Sequence, residues 1–177
     1  MSTIRGSISS TPLPMSHSKH LEAEDVSTHH VTDIAYLNVG GKRYTTHFET
    51  LILSKSSYFH RFVRLDDVTG KVLLYRRYFS VDSIGAIFVN RDGDLFAHAL
   101  QFMRDGKRTA LPQNTDILRQ LIRESEFFGM EVWKSVLQQQ LEATESQENQ
   151  IQNLLVSINS HVTQMVEGIY FNGFKQS

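Results

Sequence analysis

Asp66 and Asp67 stand side by side, which is the residue type that acid–base chemistry needs. Neighbours on an extended chain point apart, so the pair reads as a solvated turn and not as a dyad. Histidine is the second candidate. His47, His60 and His98 are scattered, with no His-Glu-x-x-His pairing. His17, His20, His29 and His30 fall in a polar N-terminal stretch and read as solvated tail. Gly40-Gly41 lacks the Gly-Lys-Ser/Thr ending and the following helix of a phosphate loop. The chain holds no cysteine, which excludes a thiol nucleophile, a thiolate zinc site and a disulfide framework. No catalytic set, cofactor site or metal site is expected.

The basic pairs Lys42-Arg43, Arg76-Arg77 and Lys107-Arg108 are spread out and balanced by acids. With a formal net charge of −1, nucleic acid and anionic membrane surfaces are not expected partners. The longest apolar runs, such as Val72-Leu73-Leu74 and Ala86-Ile87-Phe88-Val89, are too short to cross a bilayer. No membrane insertion and a cytoplasmic location are expected.

What remains is a fold to be positioned. Of the 177 residues 40% are hydrophobic, enough for one core plus tails. Residues 1–32 are rich in Ser, with Pro12 and Pro14, and read as a disordered arm. Ile34, Tyr36 and Leu37-Asn38-Val39 read as a strand, Gly40-Gly41 as a tight turn, and Lys42 to Thr46 as the returning strand. Glu49 to Leu53 reads as a short helix with Thr50 as a local cap. Tyr58, Phe59, Phe62 and Val63 recur at helical spacing. Residues 65–84 fit either an extra hairpin or an extended loop. Ala86 to Val89 reads as a buried strand. Asp92 is placed to cap a helix carrying Leu95, Phe96, Ala99, Leu100, Phe102 and Met103, which Asp105-Gly106 ends. Thr115 or Asn114 caps the next helix, through Ile117, Leu118, Leu121 and Ile122 to Gly129. A last core helix begins near Met130 and presents Val132, Trp133, Val136 and Leu137.

Residues 138–150 are a polar Gln/Glu-rich helical linker. Leu137, Leu141, Thr144, Glu148, Ile151, Leu155, Ile158, Val162, Met165 and Ile169 follow an unbroken four-three alternation. Every seam position from Ile151 to Ile169 is apolar, so residues 151–170 read as a coiled-coil segment. An amphipathic helix folded back on its own domain is the alternative.

Residues 33–137 resemble a BTB/POZ domain of the potassium-channel-tetramerisation (KCTD-like) family. The likeness lies in Leu37-Asn38-Val39-Gly40-Gly41 followed by Tyr44 and Thr45-Thr46. It continues through Thr50-Leu51, Ser57-Tyr58-Phe59 and Phe62, then Gly85 to Asp92, then Phe96, Leu100, Phe102, Arg104 and Gly106. Glu124, Glu126, Phe127, Phe128 and Gly129 complete it. The chain departs from the pattern with Asn90 in place of Asp, with Lys55 and Gly93 in place of Pro, and with a longer stretch between Phe62 and Gly85.

The resemblance implies an α/β (α+β) BTB/POZ fold, a short β-sheet flanked by helices, here followed by a C-terminal coiled-coil helix. It implies no enzyme. It implies a homo-oligomer, a tetramer or pentamer, whose interface includes Asn38, Gly40, Gly41, Arg91 and Asp92. Physically, Gly40-Gly41 at a turn and Arg91 with Asp92 at a helix start also suit a purely structural role. The resemblance further implies an adaptor of a cullin-RING ubiquitin ligase, with Tyr58, Phe59, Arg61, Phe62, Leu65, Arg104 and Asp105 facing the cullin. A scaffold without a cullin, or the cytoplasmic tetramerisation domain of a channel, are the alternatives. The zinc set of some channel domains needs cysteine and is ruled out here.

Overall fold

The computed structural model describes residues 25–173. Most of the N-terminal arm, including His17 and His20, lies outside the described residues. The elements run β1 (Val26–His29), β2 (Ile34–Val39), β3 (Lys42–His47), α1 (Phe48–Leu53), α2 (Ser57–His60), β4 (Val63–Leu65) and β5 (Val72–Tyr75). A 3-10 turn at Arg76–Tyr78 leads to β6 (Ser80–Val81) and β7 (Ile87–Val89). Then come α3 (Gly93–Asp105), a second 3-10 turn at Gly106–Arg108, α4 (Thr115–Phe128) and α5 (Glu131–Gly173).

Alternation builds the main sheet. In β2, Ala35, Leu37 and Val39 are buried while Ile34 and Tyr36 face outward. The order is β3-β2-β7-β6, with β2 antiparallel to β3 and parallel to β7 through Leu37↔Ile87 and Val39↔Val89. A second sheet runs β1-β5-β4. The core between sheets and helices is aromatic. Phe59 stacks on Phe128 at 5.7 Å, Phe96 meets Phe128 at 5.3 Å, and Phe102 stacks on Trp133 at 5.9 Å. Burial of one such ring contributes about 1.5–3 kcal/mol.

Several sequence expectations need correction. Val26–His29 lies in the stretch read as a structureless arm, yet it pairs with β5 from Val26↔Tyr75 to His29↔Val72. The His29 ring also leans on Phe48 at 4.8 Å. Of the two alternatives for residues 65–84, the hairpin is present, but its first strand starts earlier: β5 pairs antiparallel with β4, from Val63↔Leu74 to Leu65↔Val72. Val63 therefore belongs to a strand, and α2 ends at His60. Thr50 caps nothing, since α1 already starts at Phe48. The helical linker expected at 138–150 is helical and runs without a break inside α5. Helix signals elsewhere behave as read: Asn114 caps α4 by accepting from the Ile117 N–H at 2.9 Å, and Gly129 ends it at φ +62°.

Candidate functional site

The five residues expected at an oligomer interface do come together, where the β2–β3 turn meets the β7–α3 junction. Asn38 Oδ1 accepts from the Gly41 N–H at 2.9 Å, and its Nδ2 donates to Asp82 at 2.8 Å. Gly40 donates to the Val89 carbonyl at 3.0 Å. At φ +56° a side chain on Gly40 is strained, and its Cβ would also run into the Arg91 carbonyl oxygen. Gly93 is just as confined: a Cβ there would lie 2.7 Å from the Val39 carbonyl oxygen. In this chain a proline at position 93, which also carries a Cβ, would meet the same atom. Tyr44 closes the corner by donating to the Gly93 carbonyl at 2.5 Å.

Arg91 and Asp92 do not pair with each other. Asp92 caps α3 by accepting from the Asp94 and Leu95 N–H groups at 2.8 and 3.1 Å. Arg91 reaches Glu124 on α4, with Nε donating to Oε2 at 3.1 Å and a second contact from its terminal nitrogen to Oε1. The Glu124 side chain is only 5% exposed. This hydrogen-bonded carboxylate holds the Arg91 guanidinium above its ordinary pKa. Most of the polar capacity of the cluster is thus spent inside the chain.

Two members stand outside the five residues expected at the interface. Asp82 collects Asn38, the Ile84 and Ala86 N–H groups at 3.0 and 3.1 Å, and Arg43 at 2.8 Å. The Asn38 amide first, then the backbone donors and Arg43, hold its carboxyl below the usual carboxylate range. Glu124 is the other. Asp82 lies more than 30 residues from Asn38 and Arg43, as Glu124 does from Arg91, and no local pattern links these side chains.

The residues expected to face a cullin divide. Phe59 and Phe62 are fully buried and present nothing to a partner. Their rings are anchored because Ser56, also buried, donates to the Phe128 carbonyl at 2.5 Å and caps α2. Arg104 donates to the Thr45 carbonyl on the open edge of β3, at 2.9 Å. Asp105 is tied to Gln101 one turn back. Tyr58, Arg61 and Leu65 do reach the surface. The Arg61 guanidinium sits 4.9 Å over the Tyr58 ring, which is 4.9 Å from Phe127. Arg91 covers Phe127 at 4.5 Å. The four form a cation–aromatic–aromatic–cation row, and Phe127, 39% exposed, was missing from the expected set. Partial burial raises the Tyr58 hydroxyl above its ordinary pKa.

The seam changes partner along its length. Leu137 is buried, and Leu141 and Thr144 pack inward against the domain, where Arg119 of α4 binds Glu145 at 2.7 Å. Beyond Glu148 the helix leaves the domain. Ile151, Leu155, Ile158, Val162 and Met165 are each more than half exposed, and so is Leu154. The fold-back alternative therefore holds only for the first turns. The Ile169 side chain lies outside the described residues.

Among the described residues no group of three His, Cys, Asp or Glu side chains is placed to hold a metal. No helix among them is long and apolar enough to cross a membrane. A cleft of about 390 Å³ between the ends of α1 and α3 and the α4–α5 junction is lined largely by Leu53, Phe102, Met103, Val132 and Trp133, with Lys55, Lys107 and Glu131 among its other lining residues.

Residues 35–148 match the family model described as the BTB/POZ domain. The chain belongs to the BTB/POZ family. Within it the likeness is to KCTD-like members. This BTB/POZ chain is 29% identical over 142 residues to human BTB/POZ domain-containing protein KCTD21, covering 80% of this chain and 48% of that one. It is 33% identical over 98 residues to human BTB/POZ domain-containing protein KCTD3, covering 55% of this chain and 10% of that one. An uncharacterised protein of Caenorhabditis elegans is 37% identical over 112 residues, 60% of this chain and 80% of its own length. The matches thus span about half of KCTD21 and a small part of KCTD3. The α+β fold with its long C-terminal helix is that of a BTB/POZ domain, a module of protein interaction and self-association.

Proposed function

We propose that this BTB/POZ protein is a non-enzymatic homo-oligomer, a tetramer or pentamer, that serves in the cytoplasm as an adaptor of a cullin-RING ubiquitin ligase. The observation that carries self-association is the exposed apolar stripe on α5 beyond Glu148. A single helix in water does not keep five large apolar side chains half exposed without a partner. The domain supplies a second contact region around Asn38, Gly40, Gly41, Arg91 and Asp92.

The cullin reading rests on the row Arg61, Tyr58, Phe127 and Arg91 beside Leu65. Arginine and tyrosine are the residue types that dominate binding energy at protein interfaces. Purified full-length chain is expected to elute as an oligomer by size exclusion with light scattering, and to retain a purified cullin. Tyr58→Ala with Arg61→Glu is expected to lose the cullin and keep the oligomer. Failure of the wild type to retain any cullin would remove the adaptor role. It would leave a homo-oligomeric scaffold, a reading that the burial of Phe59 and Phe62 and the internal bond of Arg104 already favour.

A further inference from the structure

The cleft of about 390 Å³ between the ends of α1 and α3 and the α4–α5 junction stands apart from the surfaces used so far. Neither the cation–aromatic row nor the exposed stripe of α5 contributes to its lining. Its volume lies in the range of ligand-binding clefts. The floor is hydrophobic core: Phe102 stacks on Trp133 at 5.9 Å, and both are buried. The rim is not. Leu53 is 66% exposed and Val132 49%, so apolar surface continuous with the core is left open to water. Such a surface favours an apolar occupant.

Two lysines stand at the same opening. Among the described residues Lys42 and Lys134 have carboxylate partners, whereas the exposed Lys55 and Lys107 have none. Glu131 is the other charged lining residue, and its charge is answered within the chain. Lys134, held above its ordinary pKa chiefly by Glu126, also feels Glu131 three residues back. Lys55 is besides the residue that its backbone suits least. At φ +53° it is the one described residue other than glycine with a positive φ. A Cβ crowds the backbone there, and glycine would sit with less strain. Strain of this kind gathers at binding sites.

Charge and shape together select the occupant. Two unpaired ammonium groups over an apolar floor complement an apolar side chain with a carboxylate beside it. The cleft is open along Leu53 and Val132, which suits side chains hung from a backbone that stays outside. A free acyl chain would be left half wetted there. We propose that this cleft docks a short acidic segment of a partner protein. A large apolar side chain of that segment sits between Leu53 and Val132 over Trp133, and a neighbouring Asp or Glu pairs with Lys55 and Lys107. The site goes beyond the assembly proposed above and stands whether or not a cullin binds.

Trp133 is the chain's only tryptophan, so its emission reports on the cleft directly. Random displayed peptides without tryptophan are selected on the immobilised full-length protein, and the most enriched sequence is synthesised. That peptide is expected to set a large apolar residue beside Asp or Glu and to change Trp133 emission saturably. Lys55→Glu with Lys107→Glu is expected to weaken binding about tenfold. Lys55→Gly is expected to weaken binding too while resisting urea at least as well as wild type, which separates binding from folding. Val132→Asp is expected to abolish binding and to leave the subunit number unchanged. No enrichment, a basic consensus, or an acidic peptide that binds the double variant as tightly as wild type overturns the proposal. A changed subunit number in Val132→Asp gives the cleft to a second copy of the chain and overturns it as well.

Discussion

Arg91 leaves the end of β7 and reaches across to Glu124 on α4, and the two charges see water very unequally. Glu124 is almost wholly buried, while Arg91 keeps about a third of its side chain exposed. Removing the arginine strands a carboxylate in the core; removing both charges does not. Arg91→Ala is expected to lower stability to urea by about 3 kcal/mol, near the low end for a broken buried pair because of that exposure. Arg91→Met with Glu124→Gln is expected to recover much of it. Equal losses in the two variants would show that the pair acts through packing on Phe127 instead. Asp82 supplies a pH signature. Its carboxyl is held below the usual range in the fold, so its contribution is complete above the unfolded value, about 3.9. The contribution is lost as pH falls through the lower folded value. Asp82→Asn is therefore expected to be less stable than wild type at pH 7, with the gap closing below about pH 4. A gap that stays constant from pH 7 to pH 3 would assign the loss to geometry, not charge.

Within elements, periodicity and end signals were readable and pairing across distance was not. The β2–β3 hairpin, the strand at Ile87–Val89 and the apolar faces of α3 and α4 follow from residues a few positions apart. The edge strand β1 escaped because Val26-Ser27-Thr28-His29 is only half buried and lacks clean alternation. The path of β5 escaped because composition says strand without saying which neighbour. The family resemblance turns Phe59 and Phe62 toward a partner, and helical spacing could not correct it, because spacing marks an apolar face but not what covers it. The covering rings, Phe96, Phe128 and Phe79, lie far off in sequence. The stripe on α5 shows the same limit: one heptad pattern serves two different partners. Leu137→Ala, in the part against the domain, is expected to cost about 2–5 kcal/mol in domain unfolding. Ile158→Ala is expected to leave domain unfolding within about 0.5 kcal/mol, as surface changes do, and to weaken assembly. Comparable losses at both sites would mean that the outer half of the helix also packs on its own domain.

At the scale of the whole molecule, two kinds of surface are available for assembly, and salt distinguishes them. The corner around the β2–β3 turn is charged: Lys42 meets Asp94 and Arg43 meets Asp82, and Lys42 and Arg43 are each about half exposed. Contacts between copies through such groups weaken as the Debye length falls from about 10 Å at 0.1 M to about 3 Å at 1 M salt. The stripe from Ile151 to Val166 has no formal charge to screen. Its attraction is the removal of apolar surface from water, which salt does not diminish. The subunit number of the wild type is therefore expected to be the same at 0.1 and 1 M sodium chloride. Ile158→Asp, which places a charge in the seam, leaves only the polar corner to hold the copies. That variant is expected to stay associated at low salt and to fall to monomers as salt rises, read by light scattering at one protein concentration. Dissociation of the wild type itself at 1 M would place the decisive contacts in the domain and relegate the helix to a passive extension.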